Sequence, residues 1–276
     1  MAKRWFITGA SSGMGREIAD IALAAGDRVV ATARRPENLD DLVASYGDAV
    51  TIERLDVTND ANVTQVLEKT LAAGAVDVLV NDAGGGLIGA TEEMTDAEVA
   101  DQLALNLIAP IRITRAFLKP MREQGGGRII QMSSMGGQMS FPVSSPYHAA
   151  KWGLEGFSES VAQEMAGFGV FITIVQPGAT RTNFQSGLKW TTELAAYKDT
   201  VVGQTRRWIE GADASTFTGD PRKLAQAVFD TTRADHPPLR LTLGADAFEM
   251  VSGALAERLA ALKGQETLAR SVAYND

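Results

Sequence analysis

The 276-residue chain predicts a doubly wound parallel α/β sheet of about seven strands with helices on both faces. Three observations predict it. Short apolar runs alternate six times with stretches of helical periodicity, and the links between them are short. The glycine- and hydroxyl-rich stretches fall at the ends of the apolar runs, where ligands bind in open parallel sheets. Right-handed crossovers are expected.

Each element has its own signal. Arg4–Thr8 is an apolar run that stops at Gly9, as a buried first strand would. Arg16–Ala25 reads as a helix with Ile18, Ile21, Ala22 and Ala25 on one face and Gly26 as its stop. Arg28–Thr32 is the second strand, and Pro36 opens a helix through Leu42 and Val43. Val50–Leu55 is the third strand; Thr58 or Asp60 is placed to cap the helix holding Val63, Val66, Leu67 and Leu71. Asp77–Val80 is the fourth strand and runs into Asn81–Gly86. Thr95 and Glu98 form a capping box that starts a long helix towards Phe117 and Leu118. Arg128–Ser133 is the fifth strand, followed by a helix over Tyr147–Phe168 with Leu154, Phe157, Val161 and Met165 in one stripe. Val170–Gln176 and Leu239–Leu243 complete the strands. From about Thr182 to Asp220 the rhythm breaks, which predicts an insertion within a single domain spanning 1–276.

Composition removes several function classes. Hydrophobic residues at 45% and charged residues at 22% argue for a globular chain. The net charge, 26 − 34 = −8, gives no basic footprint for nucleic acid. With no cysteine, disulfides, thiolate metal sites and cysteine nucleophiles are excluded. The two histidines, His148 and His236, form no HExxH motif, so no protein-held zinc is expected. Met1–Ile7 lacks a signal-peptide core, and no run reaches the roughly 18 apolar residues of a membrane span. A cytoplasmic protein without a membrane partner is expected.

Thr8-Gly9-Ala10-Ser11-Ser12-Gly13-Met14-Gly15 joins the first strand to the first helix with spacing G-x-x-x-G-x-G. Its glycines allow positive φ and close backbone approach, while the new helix aims N–H groups at an anion. A pyrophosphate is the natural occupant; a plain βα turn is the alternative. The second strand ends in Arg34 and Arg35, where an NAD enzyme usually places an acid for the ribose 2′-hydroxyl. Guanidinium groups suit a 2′-phosphate, which predicts NADP (NADPH) over NAD. Two solvated surface arginines are the alternative.

With Asp56, Asn81–Gly84, Asn106, Ser134, Tyr147, Lys151, Pro177-Gly178 and Thr182 in order behind this turn, residues Lys3 to Thr182 resemble the short-chain dehydrogenase/reductase family. The resemblance implies a Rossmann-type fold and an oxidoreductase that interconverts a ketone or aldehyde and its alcohol by hydride transfer. It implies a cofactor held by Gly9, Ser11, Ser12, Gly13, Met14 and Gly15, by Arg34 and Arg35, by Asp56 and Val57 at the adenine, and by Asn81, Ala83 and Gly84. Tyr147 and Lys151, with Pro177, Gly178 and Thr182 at the carboxamide, complete that set.

Spacing i, i+4 puts Tyr147 and Lys151 on one helical face, where the ammonium is expected to lower the phenol pKa from about 10. The resemblance makes Tyr147 the general acid/base and has Lys151 also hold the nicotinamide ribose. Ser134 follows the fifth strand, and alternation sends Ser133 to the opposite side. Asn106 is the polar exception in a stripe of Val99, Leu103, Pro110, Ile113 and Phe117. The resemblance gives it a water that relays protons to Lys151; an amide satisfying a local bend near Pro110 is the alternative.

One position departs from the family pattern: Asp82 stands where asparagine is usual, which puts the bracing of sheet to loop in question. His148, one residue round the helix from Tyr147, reads as structural. Met135, Phe141, Val143, Phe184 and Trp190 are candidate walls for a medium-sized apolar carbonyl, with 182–220 as a lid. The resemblance implies a homodimer or homotetramer through the Asn106 and Tyr147 helices, with Trp152 at the interface. A regulatory or sensor protein that binds NADP(H) without turnover is the alternative reading.

Overall fold

The computed structural model describes residues 2–213 and 216–274. In chain order the elements are β1 (Arg4–Thr8), α1 (Gly13–Ala24), β2 (Arg28–Ala33), α2 (Asp40–Tyr46), β3 (Val50–Arg54), α3 (Asp60–Ala72) and β4 (Val78–Asn81). Then come β5 (Leu87–Ile88), α4 (Asp96–Leu103), α5 (Ala109–Glu123), β6 (Gly127–Met132), α6 (Ser145–Met165) and β7 (Val170–Pro177). The last are β8 (Lys189–Trp190), α7 (Val201–Gly211), α8 (Pro221–Arg233), β9 (Arg240–Leu243), α9 (Ala245–Lys263) and α10 (Glu266–Ser271).

Seven strands form one parallel sheet in the order β3-β2-β1-β4-β6-β7-β9. The central strand shows why it is buried on both sides. Trp5 and Ile7 of β1 join one core with Ile18 and Ala22 of α1 and Leu224 and Val228 of α8. Phe6, between them in sequence, points the other way into a core with Val63 and Val66 of α3, Ile113 and Phe117 of α5, and Val161 of α6. The chain builds outward from β1 to β3 and then returns to pair β4 with the other edge of β1. Loops at the carboxyl ends of β1 and β4 therefore part company, opening the crevice in which such sheets hold ligands.

The helix ends follow from local chemistry. After α1, Gly26 adopts φ +83, its N–H bonds Leu23 O, and Asp27 N–H bonds Ala22 O, the paired closure expected of a glycine stop. Pro36 starts a 3₁₀ turn, Pro36–Leu39, that leads into α2. The cap of α3 is neither Thr58 nor Asp60 but Asn59, whose extended backbone lets Oδ1 accept from Asn62 N. Thr58 is already committed to Asp56, and Asp60 is the first helical residue. The Thr95 box forms as read, but its helix is not uniform: a π turn at Ala104–Ile108 separates α4 from α5. The stripe holds from Asn106 onward, whereas Val99 and Leu103 are only partly buried.

A second, two-stranded parallel sheet of β5 and β8 fastens the 182–220 segment to the loop after β4. Positions 214 and 215 of that segment lie outside the described residues. In helix α9, Phe248, Leu255, Leu259 and Leu262 are exposed, and only Ala247 and Val251 are buried. No described helix is long and apolar enough to cross a membrane.

Candidate active site

The glycine turn leaves β1 with Gly9 and Gly13 at φ +72 and +60, a region that side chains other than glycine seldom enter. A Cβ on Gly9 would lie 2.9 Å from Ala83 N, and one on Gly15 2.8 Å from Gly9 O, so the backbones meet only because both are glycine. Ser12 caps α1 without a side-chain bond, so its hydroxyl takes none of the first-turn N–H groups. That cradle, at a helix N-terminus, fits the pyrophosphate of a dinucleotide. Thr182 reaches it from the far side, its Cβ 3.5 Å from where a Gly13 Cβ would be.

Asp82 keeps the brace that the sequence left in question. Its Oδ2 accepts from Gly15 N at 2.9 Å, while Thr8 Oγ1 accepts from Asp82 N and Ala83 N at 3.0 and 3.1 Å. Asn81, buried one residue earlier, donates to Thr114 and Gln131 and ties β4 to α5 and β6. Burial pushes the Asp82 carboxyl up to about 7, against the Gly15 N–H and the Lys151 charge.

At the edge of the crevice Arg34 and Arg35 are exposed, and neither forms an ion pair among the described residues. Asp56 accepts from Thr58 N and Oγ1, and its own N–H goes to Asn62, which fixes the chain at the entry to α3. The Thr58 hydroxyl first, and Arg34 further, hold the Asp56 carboxyl below its usual range.

Around the reacting end, Ser134, Tyr147, Lys151 and Asn106 converge. Strand alternation separates the serines as expected: Ser133 Oγ donates to Glu155 at 2.9 Å, whereas Ser134 hydrogen-bonds the Tyr147 phenol. Lys151 Nζ donates to Met132 O at 2.7 Å and lies 5.6 Å from the Tyr147 ring centre. The expected lowering of the tyrosine pKa is not found: burial raises Tyr147 above its usual 10 despite the Ser134 bond. The lysine charge is committed to a carbonyl, so desolvation wins. Burial also brings Lys151 down to about 8, with Asp82 and Glu155 pulling the other way.

Asn106 sits within the π turn. Its amide donates to Gly85 O and to Gln102 O one turn back, and its Oδ1 accepts from Gly85 N. It thus serves both the bend and the loop after β4, and π turns are frequent at functional sites. A Cβ on Gly84 would lie 2.9 Å from Asn106 Oδ1 and 4.0 Å from Lys151 Nζ, so one glycine lets both groups close in. Pro177 ends β7, Gly178 N bonds Leu243 O, and Ala179 N bonds Asp246.

The expected walls divide. Phe184 meets the Tyr147 ring edge at 6.2 Å, and Val143 is buried at φ 71 with its carbonyl held by Gly89 N. A β-branched residue in that region stores strain, a recurring feature of ligand sites. Trp190 instead lies under the Arg206 guanidinium at 5.3 Å and, with Leu188 and Ile209, lines a cavity of about 450 Å³ in the 182–220 segment. Trp152 is 42% exposed, donates to Met139 O and carries Arg258 over its ring.

Two buried acids were not read from the sequence. Glu155 gathers Ser133, Gln138, Gln176 and Arg240, and its place one turn beyond Lys151 on the Tyr147 face was the available signal. Glu93 receives Ala90 N, Thr191, Leu194 N and Arg206, which anchors the 182–220 segment. Apart from Ala90, its partners lie about a hundred residues away, beyond any local pattern.

Fold and site together define a nicotinamide-dependent oxidoreductase of the Rossmann type acting on CH–OH/C=O. The family model for short chain dehydrogenase matches residues 3–192, and the chain belongs to that family. It is 39% identical over 266 residues, 95% of each chain, to "Oxidoreductase BOA17" of Botryotinia fuckeliana. It is 34% identical over 241 residues, 86% of each, to a 3-ketodihydrosphingosine reductase of Bacteroides thetaiotaomicron. A short-chain dehydrogenase from Streptomyces avermitilis superposes with TM-score 0.93 at 45% identity, covering 99% of this chain and 100% of that one. A serine dehydrogenase complexed with NADP+ gives 0.74 at 25%, covering 87% and 93%.

Proposed function

We propose that the protein is an NADPH-dependent carbonyl reductase for apolar ketones or aldehydes. The convergence of Ser134 on the Tyr147 phenol, with Lys151 behind it, is the observation that carries this reading. Gly9, Ser11, Ser12, Gly13, Met14 and Gly15 would hold the pyrophosphate, Arg34 and Arg35 the 2′-phosphate, and Asp56 and Val57 the adenine. Asn81, Ala83 and Gly84 with Pro177, Gly178 and Thr182 would hold the nicotinamide end. When bound, the reduced nicotinamide supplies a hydride to the carbonyl carbon.

The chain's own groups handle the oxygen. Ser134 binds it, and Tyr147 delivers its proton to it; a raised pKa keeps that proton in place at neutral pH, as a donor requires. Lys151 returns a positive charge to the phenolate that remains, and Asn106 fixes the loop beside the lysine. The Phe184 and Val143 surfaces favour an apolar substrate, and the keto-lipid reductase among the relatives supports the same class. A sensor would have no need of this four-residue set.

Arg34→Ala is expected to weaken NADPH binding about 10- to 100-fold, from the roughly 1.5–3 kcal/mol of a hydrogen bond to a charged group, and to leave NADH binding unchanged. Titration of both nucleotides by tryptophan fluorescence checks this; equal loss for both would remove the 2′-phosphate assignment. Phe184→Ala is expected to raise KM for bulky apolar ketones severalfold, consistent with the area that an aromatic ring buries. Unchanged KM across a graded ketone series would take Phe184 out of the substrate site.

A further inference from the structure

We infer that His148 is a positioning residue that clasps the 134–144 loop and thereby sets both the Ser134 oxygen and the Phe141 wall. The inference rests on the carbonyl-reductase reading of Ser134. The ring is buried at 5% exposure, immediately after Tyr147 on α6. Its two nitrogens reach two different parts of the loop. Nδ1 lies 2.9 Å from Gly136 O, and Nε2 accepts from Phe141 N at 3.3 Å. The Phe141 ring stands edge-on to the imidazole, with centres 4.5 Å apart.

Each end of the clasp leads to the site. On the Gly136 side, the same residue's N–H donates to Ser134 Oγ at 3.0 Å, so fixing Gly136 fixes the serine oxygen. Close approach is possible because residue 136 is glycine: a Cβ there would fall 2.9 Å from His148 Nδ1 and 3.4 Å from Ser134 Oγ. On the other side, the Phe141 backbone is held two residues before Val143, whose left-handed backbone needs outside support.

The hydrogen bonds also dictate the tautomer. A backbone N–H can only donate, so Nε2 must present its lone pair to Phe141, and the ring proton is on Nδ1, facing the Gly136 carbonyl. Burial holds the ring pKa below 6.5, which keeps it neutral at pH 7.

The chain has two histidines, so nitrogen NMR of labelled wild-type protein resolves the tautomer directly. The expected result is one histidine locked as the Nδ1–H form, its signals lost in His148→Asn; an Nε2–H form for His148 overturns the clasp. Kinetics supply the second arm. His148→Phe is expected to lower kcat/KM for ketones about 10- to 100-fold, the scale of a misplaced reacting group, with cofactor affinity unchanged. His148→Asn places an amide donor near the Nδ1 position, so kcat should recover while KM stays raised through the loosened Phe141 side. A folded His148→Phe with wild-type kcat and KM, or His148→Asn no better than His148→Phe, overturns the proposal. If the wild type turns over no carbonyl, the reductase reading fails, and the NMR result still decides the clasp.

Discussion

Tyr147→Phe is expected to lower kcat for carbonyl reduction by about 10²–10⁴-fold, the range that a positioned proton donor contributes. The substitution removes one oxygen and leaves the ring, with its edge contact to Phe184 and the Lys151 charge 5.6 Å from its centre. Packing and the glycine cradle are untouched, so the Kd for NADPH should move far less than kcat. Rapid-mixing kinetics with direct cofactor titration separates the two quantities. The pH profile gives an independent reading. Reduction needs the phenol protonated, and its raised pKa keeps it so through neutrality; rate should fall only on the alkaline side. Loss of the Lys151 charge near pH 8 adds to that fall. A Tyr147→Phe enzyme with more than a tenth of the wild-type kcat would place the proton donor elsewhere.

Asp82→Asn should stabilise the cofactor-free protein at alkaline pH and do little in acid. The folded carboxyl has its pKa raised from 3.8 to about 7 by burial. Between those values the folded state holds a proton that the unfolded chain has released, so stability declines as pH rises from about 4 to 7. Above 7 the full cost of a buried anion is present. The difference of roughly three pH units, at about 1.4 kcal/mol each, is worth up to about 4 kcal/mol. Asparagine can still accept from Gly15 N and carries no charge to bury, although Lys151 loses an opposing charge. Urea unfolding at pH 5 and pH 8 measures the effect. The expectation is a variant modestly more stable at pH 5, where roughly a third of the penalty is already present, and clearly more stable at pH 8; a less stable variant at pH 8 would mean that the carboxylate is stabilised through Lys151.

The sheet was legible because the central strands are apolar on both faces and the helices between them carry stripes. Trp5, Phe6 and Ile7 are all fully buried, as a run with no polar face requires. The site was legible where chemistry is local: the glycine turn, the i, i+4 pair of Tyr147 and Lys151, and the Ser133/Ser134 alternation. What escaped depends on distance or competition. Asn59 took the α3 cap because Asp56 had already engaged Thr58. The π turn at Asn106 leaves no mark in a stripe whose polar member is itself the cause of interest. Glu93 and Arg206 meet across 113 positions, and no window on the sequence contains both. The direction of the Tyr147 shift failed for a related reason. Spacing reveals which charge is near, but only the packed structure shows how much water has been removed.

The Asp82 departure shows how a site tolerates a changed side chain. The brace to Gly15 needs one acceptor oxygen, and aspartate has it. What changes is the charge state, and therefore the response to pH.

The most direct test follows the absorbance of reduced nicotinamide while the purified wild-type protein acts on a graded series of apolar ketones and aldehydes, with NADPH and NADH in parallel. Turnover with NADPH, weak turnover with NADH, and rates rising with the apolar surface of the carbonyl compound are the expected results. Tight NADPH binding without oxidation of the cofactor on any carbonyl compound, small or large, would contradict the enzyme reading and favour a protein that senses the dinucleotide.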